Sequence, residues 1–220
     1  YSGIAKAAAI NESSDQTGVT ATVDENVVLG SDMSTDTPAG TAVTAAAIKL
    51  NGVDITVQGT VNGNDAEKAA TRGSVIAAIN AKAEQTGVTA SDGGNDGGVI
   101  LTAVDGRNIT IEADANADGT ASAQNDLSVF GLKDDNGTAA NLIASDANFG
   151  AGLEAVQSQA GFTLTSENAN TDINITGGDN TGNGNLANSG LAAGDYSSQT
   201  AITSSTKQDV GGADGTAITG

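Results

Sequence analysis

The sequence predicts an α+β fold built from small repeated units, each a short helix with antiparallel β-strands or hairpins, joined by many loops. The main observation is a block that occurs twice. Residues 9–21 (AINESSDQTGVTA) resemble residues 78–90 (AINAKAEQTGVTA) at a spacing of 69 residues, without a gap. Self-similarity of this kind is typical of a repeated supersecondary unit. An alternating apolar and polar pattern at 46–57 and a total of 30 glycines add short strands and tight turns.

The repeated block runs from a helix directly into a strand. An Ala- and Ile-rich segment is followed by Gln-Thr-Gly and then by Val-Thr-Ala. Gly18 and Gly87 stand where a helix ends in a left-handed residue, a conformation that glycine adopts without steric cost. We therefore expect each copy to end its helix at this glycine and to continue as a strand.

The elements of the first 113 residues follow from periodicity and turn residues. Asn51-Gly52 separates two alternating segments, which is typical of a two-residue β-hairpin. The only proline, Pro38, lies in a polar stretch that is predicted to be a linker. In order, the sequence predicts a helix over 2–13, strands near 18–23 and 26–30, the linker 31–44, hairpin strands at 46–50 and 53–57, a helix over 65–84, and strands near 87–91, 98–104 and 107–113.

The helix predicted over 65–84 has a start signal and an apolar face. Asn64 is placed to cap the first turn, with Glu67 three residues on as its reciprocal partner. Apolar residues recur at helical spacing on one face, which is expected to lie against a sheet. These residues are Ala69, Ile76, Ile79 and Ala83.

Beyond residue 113 the periodicity is weaker. Gln124–Leu132 and Gly152–Gln157 are predicted as short helices, and residues 161–166 and 172–176 as the two strands of a hairpin. The stretch 177–195 is rich in Gly and Asn and is predicted to be a loop. The tail from Ser197 to Gly220 is expected to pair as strands with the opening segment.

The repeated block resembles a known structural repeat. Ile-Asn followed by Thr-Gly-Val-Thr-Ala, preceded by residues 49–55 (KLNGVDI) and followed by 101–111 (LTAVDGRNITI), resembles the IN repeat. That repeat occurs in the variable middle region of bacterial flagellins and in some hook-associated proteins. The second copy matches over 48–112, the first over 3–29, and a degenerate third echo lies between 162 and 175. The repeat is structural, so the resemblance carries no catalytic residues.

The resemblance implies a surface-exposed, extracellular segment of the flagellar filament that takes part in motility and has no catalytic activity. It implies a chain that leaves the filament core and returns to it. Residues 1–45 with 181–220 would then form a base domain, and residues 46–180 an inserted outer domain. The implied partners are other flagellin subunits, through regions absent here, with host or surface ligands as further candidates.

The first copy begins within its helix at Tyr1, without the preceding strand and without an initiator Met. The chain is therefore expected to be a fragment of a longer protein, monomeric by itself and unable to form filaments. Two alternatives stay open at this point. One is a hook-associated or cap protein that uses the same repeat, and the other is a secreted calcium-dependent adhesin or glycan-binding module.

Charge and composition narrow the classes further. There are 27 acidic and 8 basic residues, and the formal charge is −19. A surface this acidic repels phosphates, which disfavours nucleic acid and anionic membranes as partners. His and Cys are absent, which excludes disulfides, thiolate metal sites and a Ser-His-Asp triad. No apolar run approaches the roughly 20 residues that span a bilayer. We therefore expect no enzyme, and no catalytic, cofactor or metal residue is assigned.

One segment matches the first half of a calcium-binding loop. Asp114, Asn116 and Asp118-Gly119 follow the pattern Asp-x-Asn-x-Asp-Gly, which can supply several oxygen ligands. Position twelve is Asn125 instead of a bidentate Glu, and no amphipathic helices flank the loop. A plain strand-to-helix loop is the favoured interpretation. The Gly93–Gly98 run is similar to calcium-binding nonapeptide repeats but occurs once, so a loose hairpin loop is favoured there.

Three further candidates are weaker. Gly177-Gly178, like the Gly93–Gly98 run, lacks the Lys and the following Ser or Thr of a phosphate-binding loop. Asp134 and Asp135 form a carboxylate pair, for which a solvated turn is the favoured interpretation. The Ser- and Thr-rich stretch from Ser197 to Thr206 is a candidate for O-linked sugars, which exposed flagellin domains carry in some bacteria. Its alternative is an unmodified polar edge strand.

Overall fold

The fold is α+β, as the sequence predicts, with short helices packed on small antiparallel sheets. The computed structural model describes residues 2–33, 45–59, 64–114, 127–132, 153–168, 171–177, 186, 189–197 and 202–204. The helices there are α1 (Gly3–Asn11), α2 (Ser14–Thr17), α3 (Asp65–Asn80), α4 (Ala83–Thr86) and α5 (Gly94–Gly97), with a 3-10 turn at Leu127–Phe130. The strands are β1 (Val19–Val23), β2 (Asn26–Val28), β3 (Ala45–Leu50), β4 (Val53–Gln58), β5 (Thr89–Asp92), β6 (Val99–Ala103), β7 (Ile109–Asp114), β8 (Leu153–Ser158), β9 (Phe162–Ser166), β10 (Ile173–Ile175), β11 (Gly194–Tyr196) and β12 (Ile202–Ser204).

In the described part of the chain the strands form four sheets. Their orders are β4-β3-β7-β8, β2-β6-β5, β1-β9-β12 and β10-β11. Helix α3 contacts β4 of the first sheet and β5 and β6 of the second. Helix α1 packs on β1 and β9 of the third. Each longer helix therefore covers a sheet with its buried side, which is how small α+β units bury an apolar face.

Among the residues that the structure describes, buried apolar side chains form two clusters. The larger one joins α3, the two sheets that it contacts and the 3-10 turn, with Phe130, Leu50 and Ile79 among its fully buried side chains. The smaller one joins α1 to β1, β9 and β10, around Phe162 and Leu164. The nested division at residues 45 and 181 stays a prediction. Two strand pairings join residues from both sides of that division. Strand β2 lies in a sheet with β6, and strand β9 lies in a sheet with β1.

Within the described ranges, two passages of the chain between the clusters lie side by side. Asp24 N donates to Gly161 O at 3.1 Å, where β1 leads into β2 and β8 leads into β9. The buried Asn26 donates through Nδ2 to Ser158 O at 3.0 Å and accepts from Ser158 Oγ at 2.8 Å. The two passages are therefore tied together by backbone and side-chain hydrogen bonds.

Local turn and capping signals are confirmed. Asn51 has φ 49° and Gly52 has φ 81°, the positive pair that the two-residue β3–β4 hairpin requires. The side chain of Asn64 accepts from Glu67 N at 3.1 Å at the start of α3. Gly18 and Gly87 end α2 and α4 in the left-handed conformation.

The long helix predicted over 65–84 is shorter than expected. Helix α3 ends at Asn80, and a turn at Ala81-Lys82 separates it from α4. The predicted face is also partly wrong, because Ile79 is buried but Ala69 is exposed, and Ile76 and Ala83 are half-buried. The buried residues of α3 are Lys68, Thr71, Arg72, Val75 and Ile79. Polar side chains can be buried on this face because they have hydrogen-bond partners there. The spacing of apolar residues in the sequence does not reveal such partners.

Three predictions beyond residue 113 are wrong. Gly152–Gln157 is not a helix, because β8 pairs with β7 along its whole length, and pairing overrides local propensity. Residues 161–166 and 172–176 do not form a hairpin, since β9 pairs with β1 and β12 whereas β10 pairs with β11. Gly194 in β11 lies within the predicted loop.

The described part of the tail contributes β12 to the sheet of the opening segment, where it lies on the far side of β9 from β1 and so does not pair with β1 directly. Most of the predicted linker 31–44 lies outside the described residues, and so do residues 124–126 of the predicted helix Gln124–Leu132.

Three backbone segments meet closely beside the larger cluster. Gly131 O accepts from Val99 N at 2.6 Å and from Ser31 N at 3.3 Å. A Cβ on Gly30 would lie 2.2 Å from Gly131 O and 2.4 Å from Val99 N. These are backbone atoms, which cannot move aside as a flexible side chain can, so only glycine fits at this position.

Gly30→Ala and Gly73→Ala make the same chemical change with opposite expected results. Gly30→Ala should lower the free energy of unfolding by about 1–3 kcal/mol, because the new methyl group overlaps backbone atoms. Gly73 is exposed within α3, and a Cβ there meets nothing within 4 Å. Gly73→Ala should therefore raise the free energy of unfolding by about 0.5–1 kcal/mol, through helix propensity. Urea denaturation followed by circular dichroism measures both, and equal effects of the two changes would contradict the close approach at Gly30.

Candidate functional site

The two copies of the repeated block fold in the same way. In the first copy α1, α2 and β1 follow one another, and in the second copy α3, α4 and β5 do so. The left-handed glycines have nearly equal angles, φ 64° and ψ 20° at Gly18 and φ 70° and ψ 17° at Gly87. Gly18 N donates to Ser14 O, and Gly87 N donates to Ala83 O, both at 2.7 Å. The block is therefore a structural unit with one backbone path.

The asparagine of each Ile-Asn pair binds the strand that follows. Asn11 donates through Nδ2 to Ala21 O at 2.9 Å, and its Oδ1 accepts from Ala21 N at 2.7 Å. Asn80 makes the same two bonds to Ala90, at 2.9 Å and 2.8 Å. A carboxamide has one donor and one acceptor side by side, as a peptide group does. Each asparagine thus takes the place of a neighbouring strand for one residue.

The threonine of each Thr-Gly pair has a similar role one turn later. Thr86 Oγ1 accepts from Val88 N at 3.1 Å and lies 3.3 Å from Val88 O, within hydrogen-bonding distance. Thr17 Oγ1 accepts from Val19 N at 3.3 Å. Thr86 is almost fully buried, so this bond satisfies polar atoms that would otherwise lose water without compensation.

Each copy forms the edge of a three-stranded sheet with matching order. Ala21 of β1 lies opposite Leu164 of β9, and Ala90 of β5 lies opposite Leu101 of β6. Strand β12 then flanks β9 as β2 flanks β6. The third sequence echo, at 162–165, is thus the strand that completes the sheet of the first copy.

A polar cluster on α3 holds two loops against the helix. Arg72 is 5% exposed; its Nε lies 2.6 Å from Asp92 Oδ1, and its Nη1 lies 2.7 Å from Asn95 Oδ1. Lys68 Nζ donates to Met33 O, and Met33 N donates to Asn95 O at 2.7 Å. The Gly93–Gly98 run is indeed the β5–β6 connection, but it contains the turn α5 and is anchored by these bonds, so it is not loose.

Two ion pairs with arginine lower the pKa of their carboxyl groups. The hydrogen bond from Arg72 lowers the pKa of Asp92, and the hydrogen bond from Arg107 lowers that of Asp105. The hydrogen bond to Asp54 raises the pKa of Lys49. Asp92 and Asp105 are therefore ionised at neutral pH. This suits an ion pair, whereas a general acid must hold a proton.

Many of the sequence candidates lie outside the described residues. Asp114 is the last residue of β7, while the rest of the calcium-like segment (Asn116, Asp118, Gly119 and Asn125) and the pair Asp134-Asp135 are not described. Gly178 and residues 198–201, 205 and 206 also lie outside. Ser197 is described, and Ile202–Ser204 is β12.

The described ranges contain no group of three or more Asp and Glu side chains placed to hold a metal ion. Across the same ranges, no helix has both the length and the apolar character that crossing a membrane needs.

The residues that organise the repeated unit are not those that sequence reasoning singled out. The Ile-Asn pattern marks Asn11 and Asn80 only as members of a repeat, and the sequence assigns no role to Arg72. A signal for the asparagines was present, because Asn and Ala are ten residues apart in both copies. No signal marked Arg72, since its partners lie 20 and 23 residues away in sequence.

No protein-family model matches this chain.

Asp92→Asn tests the polar cluster on α3. The change removes the charged partner of the buried Arg72, and we expect it to lower the free energy of unfolding at pH 7 by about 1 kcal/mol, since Asp92 itself is half exposed. The folded-state pKa of Asp92 lies below its ordinary value of 3.8. Its contribution is therefore present above pH 3.8 and is lost as the pH falls through the lowered folded-state pKa.

Thermal or urea denaturation from pH 7 to pH 2 measures the difference between Asp92→Asn and the wild type. The difference should vanish at the acid end. The control is Asp54→Asn, which removes the exposed partner of Lys49 and should leave stability nearly unchanged. A difference for Asp92→Asn that is constant across the whole pH range would contradict the assignment.

Proposed function

We propose that this chain is the surface-exposed middle region of a bacterial flagellar filament subunit, a structural and extracellular segment without catalytic activity. The observation that carries the proposal is the repeat itself. The Ile-Asn and Thr-Gly-Val-Thr-Ala residues that resemble the flagellin repeat have a physical role in both copies, as the bonds of Asn11, Asn80 and Thr86 show. The resemblance thus rests on residues that specify a scaffold.

Surface charge supports the proposal. Lys68 and Arg72 are buried, so the exposed surface is depleted of two of the eight positive charges in the sequence. The formal charge of −19 makes copies of the chain repel one another, which keeps closely spaced copies from associating. A filament surface presents many copies at short distance, so an acidic surface suits that location.

The path of the chain supports an outward-projecting arrangement. The larger cluster is reached and left through neighbouring segments, because Asp24 bonds to Gly161 and Asn26 bonds to Ser158. A unit whose entry and exit lie together can be inserted into another domain without disturbing it. That property fits a segment that projects from a polymer and varies independently of it.

A deletion in the bacterium that encodes the chain tests the proposal. Removing residues 27–157 joins Asn26 to Ser158, which are already hydrogen-bonded. We expect filaments to assemble, to be thinner in electron micrographs and to support motility. Antibodies against the 220-residue chain should label wild-type filaments along their whole length, and antibodies pre-absorbed with the purified chain are the control.

Other labelling patterns identify the alternatives. Label confined to the filament tip or to the junction with the hook would indicate a hook-associated or cap protein. Label on the cell body, with bare filaments, would indicate a secreted adhesin. Loss of filament assembly on deletion would contradict a purely surface role for residues 27–157.

A calcium titration separates the filament segment from the calcium-dependent adhesin. Ligand binding to the folded state raises the melting temperature by mass action. We expect millimolar calcium to change the melting temperature of the chain no more than millimolar magnesium does. A rise of several degrees with calcium alone would favour the adhesin, and Asp114→Asn would then show whether the segment beginning at Asp114 is responsible.

A further inference from the structure

We infer that Asn11 and Asn80 close the outer edges of β1 and β5, so that these strands cannot pair with a strand of another copy of the chain. Among the described strands each is the last in its sheet, since the orders are β1-β9-β12 and β2-β6-β5. An edge strand presents unpaired N–H and C=O groups, which form a template for another chain. The inference concerns the chain itself and does not depend on the proposed function.

The asparagine bonds fall on the outward-facing backbone groups. The bonds of Asn80 use both polar backbone groups of Ala90, and those of Asn11 use both groups of Ala21. Because these backbone groups are already bonded, neither Ala21 nor Ala90 can pair with a further strand at its position. Directly before β5, Thr86 also accepts from the N–H of Val88, two residues before Ala90. Alternate residues of a strand direct their backbone groups to the same side, so this edge is closed at successive outward positions.

Strand β1 would be prone to association without such closure. Its sequence is Val-Thr-Ala-Thr-Val, which carries no charge and is rich in β-branched residues. Short neutral segments of high β-propensity without proline are typical of strand-mediated aggregation. Asp24 and Glu25 follow the strand directly, but charged side chains beyond the end of a strand do not satisfy its outward backbone groups. A side-chain amide satisfies the backbone groups directly.

The small residue at the site of closure is part of the device. Ala21 and Ala90 are both buried, and each has a short side chain beside the incoming amide. The asparagine comes from the end of the helix that packs on the same strand, ten residues earlier in each copy. The position of the helix therefore sets the position of the amide.

The experiment compares Asn80→Ala and Asn11→Ala with the wild type in the 220-residue chain. Light scattering coupled to size exclusion, over a wide range of concentration, measures the average mass. We expect the wild type to be monomeric and each single variant to form dimers as the concentration rises. The double variant should form larger species, because it has two open edges. Two variants are used so that a failure of Asn80→Ala to fold still leaves Asn11→Ala, in the other sheet, as a test.

Amide hydrogen exchange locates the association. At low concentration the amide of Ala90 in Asn80→Ala should exchange about tenfold faster than in the wild type, which corresponds to one lost hydrogen bond of about 1.4 kcal/mol. At high concentration the exchange of this amide should slow again as the edge pairs with a second copy. This second change reports strand pairing and does not follow from lower stability.

Val75→Ala is the control for lower stability. Val75 is fully buried in α3 and its side chain has no hydrogen-bonding group, so the change weakens the core and leaves both asparagine amides in place. It should stay monomeric. The inference is overturned if Asn80→Ala and Asn11→Ala are folded and remain monomeric like the wild type, or if Val75→Ala associates to the same extent as they do.

Discussion

Asparagine side chains that stand in for strand backbone connect the parts of this molecule. Asn11 and Asn80 join a helix end to a strand, as described above. Asn51 donates to Thr86 O and accepts from Thr110 N, so it links the β3–β4 hairpin to the repeated unit and to β7. Asn26 joins β2 to Ser158 and to Arg107 O. The core contains few aromatic side chains and much Ala, Val and Ile, so apolar packing alone positions these small elements weakly. The paired hydrogen bonds of each asparagine amide fix the relative position of the elements that they join.

The two copies of the repeated block lie in different surroundings. Differences at single positions of the block match those surroundings. At the spacing of 69 residues, Lys6 corresponds to Val75 and Gly3 to Arg72. Val75 is fully buried where α3 lies near a second sheet, whereas Lys6 is half-buried on a helix that packs on one sheet. Arg72 reaches the β5–β6 connection, and Gly3 instead allows the close approach of Ala160 O. The two copies keep the same backbone path and differ in the segments that these helix positions contact.

The same features support the structural role that we propose. Within the described residues, two of the three ion pairs lower the pKa of their carboxyl group, at Asp92 and Asp105. The buried polar side chains Asn26, Thr86 and Arg72 all have backbone or side-chain partners. Buried polar groups that are fully paired specify one arrangement of elements. A scaffold that presents an acidic exterior fits this use of polar atoms.

The sequence by itself determined what depends on a few neighbouring residues. The left-handed glycines Gly18 and Gly87, the Asn51-Gly52 turn and the Asn64 cap each act within a single turn, so their outcome does not depend on the rest of the chain. Tertiary structure alone decided the strand at 153–158, the partners of β9 and β10, and the burial of Arg72. These depend on segments that lie far apart in sequence, such as Ala21 opposite Leu164. The free energy of such pairing comes from contacts that exist only after the chain has folded, and local propensity carries no record of them.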